Sequence, residues 1–184
     1  ITSRDPAPPP IEYIKVSGGI FLDMTIHDFD MARFLMGSEV TEVYAVGDVK
    51  IDPAIGDAGD IDTAVVTLKF ENGAIAVIDN SRQSTYGYDQ RVEVLGSKGC
   101  ISVNNEPLTN TIISNESGIL ADKTKNFFID RYQTAYVEEV KAFCESIFHD
   151  KVTPVTGRDG LEPVIIGLAA KQSLLEGRPI KISR

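Results

Sequence analysis

Two absences bound this chain before any motif is read. No apolar run approaches the roughly 20 residues a membrane span needs. Basic residues never gather into a stripe, and 18 Lys and Arg against 27 Asp and Glu give a formal net charge of -9, which would repel a phosphate backbone. A membrane span and a nucleic-acid partner are therefore set aside. Cysteine is scarce too: Cys100 and Cys144 form no C-x-x-C pair, so neither a disulfide framework nor a zinc knuckle is indicated and a reducing cytoplasm is the expected compartment. The first residue is Ile1 rather than Met and no signal-peptide layout follows it, so the chain reads as a fragment of something longer. What remains is ordinary for one globular domain, with 42% hydrophobic and 24% charged residues over 184 positions.

Ile1 to Arg4 could end a strand, and Pro6, Pro8, Pro9 and Pro10 then make a loop with no ladder donors. From Gly18-Gly19 a helix is expected over Phe21 to Met36, closed by Gly37. Asp62 to Phe70 alternates, Asn72-Gly73 suits a two-residue type I′ turn, and Ala74 to Ser81 runs back, which predicts a hairpin. Arg91 to Leu95 and Cys100 to Val103 form a second pair across Gly96 to Gly99, with weaker strands at Val43 to Val49 and Leu108 to Ser114. A helix from Asp130 to His149 carries Tyr136, Val140, Phe143, Cys144 and Ile147 on one face, so it should pack on something apolar. Another begins at Thr156 with Asp159 in capping-box position and stops at Gly177. This order predicts an α+β fold: an open, mostly antiparallel β-sheet with helices on one face, residues 1–184 forming a single domain. Both alternating sets of the hairpin strands include apolar side chains, so the other sheet face is expected to be buried by self-association into a homo-oligomer.

Chemistry concentrates in the first helix, S-G-G-I-F-L-D-M-T-I-H-D-F-D-M-A-R-F-L from Ser17 to Leu35. Asp23, His27 and Asp30 stand at i, i+4 and i+7, within a stripe of about 60° at roughly 100° per residue, and so project into one space. Ile26, Met31 and Phe34 flank or continue that stripe, which favours partial desolvation. A carboxylate one turn from an imidazole raises its basicity and fixes its tautomer, as a general base for alcohol oxidation requires; His27 and Asp23 are the candidate catalytic pair. The same spacing commonly marks a helix-surface pair worth a few tenths of a kcal/mol. A shared metal ion is a third reading, incomplete for want of a second nearby histidine. Tyr86-Gly87-Tyr88-Asp89 puts two phenols at a sheet end, where they would bond a polyol or cover the edge of a core. Asp57, Asp60 and Asp62 lack the spacing of a calcium loop and read as a solvated acidic loop. His149 follows a helix end, where it complements the negative pole.

Ser17 to Gly37 resembles the active-site helix of the glucose-fructose oxidoreductase, inositol dehydrogenase and MocA family, whose G-G-x-x-x-D-x-x-x-H segment is matched by Gly18, Gly19, Asp23 and His27. Similarity extends from Ser3-Arg4-Asp5-Pro6 to the closing Gly-Arg-Pro-Ile-Lys-Ile of residues 177 to 182, and Asp23 to Asp30 with Tyr86 to Asp89 resemble inositol dehydrogenases most. The resemblance implies a parent enzyme in which a Rossmann domain holds NAD or NADP and an open-sheet domain supplies the substrate pocket. The reaction implied is oxidation of a secondary polyol hydroxyl, myo-inositol to its 2-keto product. His27 is then the base, Asp23 its partner, Asp30 and Tyr88 substrate contacts, Tyr86 a second candidate, and Asp5 in the Ser3 to Asp5 segment another. No G-x-G-x-x-G follows a strand and no E-K-P-type segment is present. No cofactor-binding residues are therefore expected in these 184 residues, and the fragment alone should be inactive. Ser3-Arg4-Asp5-Pro6 departs from the H-R-N-P of some inositol dehydrogenases, which leaves the polyol open. Another sugar of the same family, or a non-catalytic sheet-mediated assembly module, are the alternatives.

Overall fold

Alternation sorts the central hairpin. In the computed structural model, which describes residues 1–183, Ala64, Val66, Leu68 and Phe70 are buried while Val65 and Lys69 face outward. The elements run β1 (Thr2–Arg4), α1 (Ile11–Ser17), α2 (Ile20–Asp23), α3 (Thr25–Met36), β2 (Val40–Asp48), α4 (Pro53–Asp57), β3 (Thr63–Phe70), β4 (Ile75–Ser81) and β5 (Asp89–Gly96). They continue with β6 (Gly99–Val103), β7 (Ile112–Asn115), β8 (Gly118–Ala121), α5 (Phe128–Phe148), α6 (Gly157–Glu176) and β9 (Ile180–Lys181). Seven strands form one sheet in the order β6-β5-β1-β4-β3-β2-β9. Every neighbouring pair is antiparallel except β1 with β4. The α+β reading, an open and mostly antiparallel sheet, is what the structure has.

Helices cover one face. Ile20, Phe21, Met24, Phe29 and Ala32 of the α2–α3 segment and Ile166, Ala169 and Ala170 of α6 pack on Val43, Ala45, Val66, Leu68 and Ile78 of the sheet. Fully burying the Ile, Phe, Met, Val and Leu side chains among them contributes about 1.5–3 kcal/mol each. The opposite face leaves Tyr44, Val46, Val65, Ile75 and Val77 exposed, and the register sets Val46 opposite Val65 and Thr67 opposite Val77.

The structure corrects several sequence expectations. The helix over Phe21 to Met36 is broken at Met24 (φ -106°, ψ -61°). There the one proton of the Thr25 hydroxyl is directed at Asn80 Oδ1 (2.7 Å) and shared with Ile20 O (3.2 Å), offering the chain a side-chain alternative to the regular helical ladder. Ile11–Ser17 is helical, entered from Pro10 and ended by left-handed Gly18. The hairpin turn is a three-residue loop, with Phe70 N–H donating to Ala74 O and Gly73 at φ +84°, the bulged alternative to a two-residue turn. Residues 112–121 form a separate two-stranded ribbon. The apolar face of α5, which the periodicity predicted to be packed, is exposed, Val140, Phe143 and Ile147 included, and nothing among the described residues covers it.

Candidate active site

The lone parallel pair builds the site. Inserting β1 between β4 and β5 sets Arg4 beside Ser81 on one side and Asp89 on the other. The residues that follow β1 and β4 and those that open β5 therefore meet at one end of the sheet. Asp5 and Arg82 emerge there, and the α2–α3 break lies against them: Arg82 Nη1 is 2.7 Å from Asp23 Oδ2 and 3.7 Å from Asp5 Oδ2, and Arg82 Nη2 is 3.9 Å from Asp60 Oδ2. The Arg82 side chain is only 2% exposed, so a buried cation is compensated by three carboxylates, as burial of a charge demands.

Asp23 accepts from Tyr13 Oη through Oδ1 (2.6 Å) and from Arg82 through Oδ2. Burial pushes the Asp5 carboxyl above its ordinary value; Arg82 opposes that shift, and the negative charge of Asp23 adds to it. His27, on the first turn of α3, is exposed. The next residue, Asp28, is buried, with Oδ2 accepting from Asn80 Nδ2 (2.8 Å) and Oδ1 from Gln90 Nε2 (3.2 Å). Burial raises the Asp28 carboxyl, while the two amide donors and His27 pull it back.

Tyr88 lies edge-on to Tyr132, ring centroids 6.1 Å apart. Its hydroxyl donates to Gln90 Oε1 (3.4 Å), and Gln90 Nε2 donates to Asp28 Oδ1, which places Tyr88 beside the Asp28 end of the cluster; burial first, then Tyr132, Asp5 and Asp28, push the phenol up. Gly87 just before it has φ +116°, and a Cβ there would stand 2.4 Å from Thr124 Oγ1; Tyr88 N–H donates to Lys125 O, so the segment entering α5 clamps the turn that presents Tyr88.

Of the residues singled out in the sequence, Asp5, Asp23 and Tyr88 share this neighbourhood and His27 borders it. Asp30 instead bonds Arg33 (3.1 Å), which also holds Glu39. Tyr86 Oη donates to Asp89 (2.5 Å) and accepts from Arg4 (3.2 Å), tying it to the strand ends rather than to Asp5 and Asp28. Asp60 and Asp62 are not a solvated loop: Asp60 Oδ1 accepts from Ile20 N at the start of α2, and Asp62 is fully buried. Sequence reasoning missed Arg82, Asp28, Gln90, Tyr132 and Tyr13. For Arg82 a signal existed, since Ile78, Asn80 and Arg82 continue one alternating set and all three are buried. Asp28 likewise sits in the stripe of Thr25, Phe29 and Ala32, each buried on α3.

Residues 1–102 match the family model of the GFO/IDH/MocA C-terminal domain. The chain belongs to the GFO/IDH/MocA family. Among GFO/IDH/MocA relatives, the myo-inositol 2-dehydrogenase of Thermotoga maritima is 54% identical over 182 residues, which are 99% of this chain and 54% of that protein. A solved myo-inositol dehydrogenase from Corynebacterium glutamicum is similar at a TM-score of 0.96 and 39% identity, across 100% of this chain and 55% of the other. A scyllo-inositol dehydrogenase from Lactobacillus casei, solved with NAD(H) and scyllo-inositol, reaches a TM-score of 0.86 at 28% identity, covering 98% of this chain and 55% of that one. The chain spans about half the length of the curated relatives it matches.

Proposed function

We propose that these 184 residues form one domain, the substrate side of an NAD(P)-dependent polyol dehydrogenase whose full-length form oxidises a secondary hydroxyl of an inositol, myo-inositol to the 2-keto product. The observation that carries the reading is the cluster at the end of β1 and β4: Asp5, Asp23, Asp28 and Tyr88 in one partly desolvated neighbourhood bordered by exposed His27. A polyol presents many similar hydroxyls, and several fixed donors and acceptors select one carbon because a wrong epimer leaves them unpaired. Asp5, held above the usual carboxylate range by burial, offers such a contact, and Tyr88 supplies a phenolic donor. His27 takes the proton of the reacting hydroxyl, and Asp23 stabilises the charge gathering on the imidazole. Asp30 and Tyr86, engaged by Arg33 and by Arg4 with Asp89, are assigned to the rim. The L. casei relative's NAD(H) and scyllo-inositol support both the cofactor and the substrate class.

The residues present do not fit a dinucleotide. Gly18-Gly19 is the glycine turn that leads into a helix here, and a Cβ at Gly19 would come within 2.7 Å of Asp60 Oδ1; a pyrophosphate would meet a carboxylate where it needs amide donors. The hydride acceptor is assigned to the part of the enzyme beyond this stretch. The full-length enzyme is expected to form NADH or NADPH from myo-inositol, followed by absorbance, with scyllo-inositol and aldoses as comparison substrates. No reduction with any polyol would end this reading.

Assembly is a second proposal, carried by the exposed Tyr44, Val46, Val65, Ile75 and Val77 on the helix-free sheet face. Pairing of that face with its copy would bury an interface above about 1,000 Å², in a cytoplasmic homo-oligomer whose free thiols Cys100 and Cys144 suit a reducing compartment. No helix among the described residues is long and apolar enough to cross a membrane. Light scattering on the 184-residue chain is expected to give a dimer or larger at high micromolar concentration; a clean 20.1 kDa monomer would show that water tolerates the face.

A further inference from the structure

Asp23 is the last residue of a four-residue helix and adjoins the break at Met24, so regular backbone does little to fix where its carboxylate points. Its partners do. The Tyr13 hydroxyl, reaching across from α1, donates to Oδ1 at 2.6 Å, and Arg82 Nη1 donates to Oδ2 at 2.7 Å. Arg82 is itself immobilised: its backbone N–H donates to Asp62 O (2.8 Å), and its guanidinium sits between Asp5 and Asp60. The buried Nε and Nη2 have no hydrogen-bond partner, so the short contact of the guanidinium is the one Nη1 makes to Asp23.

We propose that Tyr13 and Arg82 are positioning residues which clamp the two oxygens of Asp23 and so hold it where it serves His27. The inference rests on the catalytic reading of Asp23 and His27 above. Neither residue needs to touch substrate. A carboxylate anchored on both oxygens is pre-organised for the imidazolium that forms in the transition state, whereas one anchored on a single oxygen swings, and displacements near 1 Å at a reacting centre cost up to about 100-fold.

The test uses the full-length enzyme with myo-inositol. Tyr13→Phe removes one anchor at a half-exposed ring whose loss does not threaten folding, and Arg82→Lys keeps the charge but changes the geometry. Each is expected to lower kcat about 10- to 100-fold with KM within about twofold. In an Asp23→Asn background Tyr13→Phe should cost no further loss of the residual rate, because the Tyr13 hydroxyl bonds only Asp23; Arg82 also faces Asp5 and Asp60, so this cycle is run with Tyr13. A loss that adds in full in that background would reveal a merely structural role and overturn the proposal, as would Tyr13→Phe with parental kcat. Should Arg82→Lys fail to fold, the Tyr13→Phe cycle alone decides. If Asp23→Asn itself keeps parental kcat, the reading of the site fails; if it is crippled while both clamp variants remain near parental, only the clamp fails.

Discussion

His27→Ala in the full-length enzyme should lower kcat by about 10²- to 10⁴-fold, the range a positioned general base supplies, while KM for the polyol moves little. The split follows from what the imidazole does. On the proposed reading, the polyol is held before the proton moves mainly by Asp5, Tyr88 and their neighbours, so deleting His27 should remove little ground-state binding. On the same reading the imidazole gains, as the hydroxyl loses its proton, a charge that Asp23 stabilises; that interaction would be made only on the way to the transition state, and such interactions appear in kcat and kcat/KM together. The exposure of His27 matters here, since a base sealed in the core could not meet a substrate. Steady-state kinetics of purified His27→Ala with myo-inositol is the measurement. A variant within about threefold of parental kcat would remove His27 from the chemistry and leave the cluster as a binding surface.

Much of this was legible in the sequence, for local reasons. The alternation of Thr63–Phe70 set which side chains are inward, the pairing of Thr156 with Asp159 marked the start of α6, and Gly37 and Gly177 closed their helices in left-handed conformations as glycine does. What escaped depends on contacts distant along the chain. The α2–α3 break needs Asn80 to receive the Thr25 hydroxyl across 55 positions, which no window of helical periodicity contains. The grouping of Asp23 with His27 by i, i+4 spacing thus crossed a discontinuity, and what positions Asp23 is Tyr13 from α1 and Arg82 from the end of a strand. The stripe on α5 is apolar as its spacing indicated, but the packing expected of it is not found among the described residues, where Val140, Phe143 and Ile147 are exposed. The acidic loop was misjudged because composition cannot separate a solvated carboxylate from one satisfied by backbone amides.

That misjudged loop yields the largest stability effect expected in the fold. Asp62 is fully buried, and its two oxygens accept from Lys50 N (2.8 Å), Ile51 N (2.8 Å), Asp52 N (3.2 Å) and Thr63 Oγ1 (2.9 Å). One carboxylate thereby satisfies the amides that carry the chain out of β2 into α4, while its backbone carbonyl receives the Arg82 amide and couples the loop to the candidate site. Asp62→Ala strands three backbone donors at once. An unsatisfied buried group costs about 1–3 kcal/mol, and partial access of water to the opened loop reduces the sum, so a loss of about 3–5 kcal/mol is expected. That is a large share of an ordinary domain's stability, and it corresponds to a fall in Tm of about 6–20 °C at this chain length. The pH dependence gives an independent check. Burial pushes the Asp62 carboxyl up, but the Lys50, Ile51 and Asp52 amides and the Thr63 hydroxyl outweigh it and hold it below the usual carboxylate range. A carboxyl depressed in the folded state contributes stability that is present above its unfolded value, near 3.8, and is lost as pH falls through the folded one. Asp5 and Asp28, both raised, act in the opposite sense: their contribution is present at low pH and lost as pH rises through their folded values. The difference between parent and Asp62→Ala should therefore be full at pH 7 and should shrink below about pH 4, whereas the contribution of Asp5 and Asp28 is common to both proteins and cancels. Urea unfolding of the two 184-residue chains at pH 7 and at pH 3 measures this directly. A loss under about 1 kcal/mol at pH 7, or a difference unchanged at pH 3, would show that the loop amides find water as good a partner as Asp62.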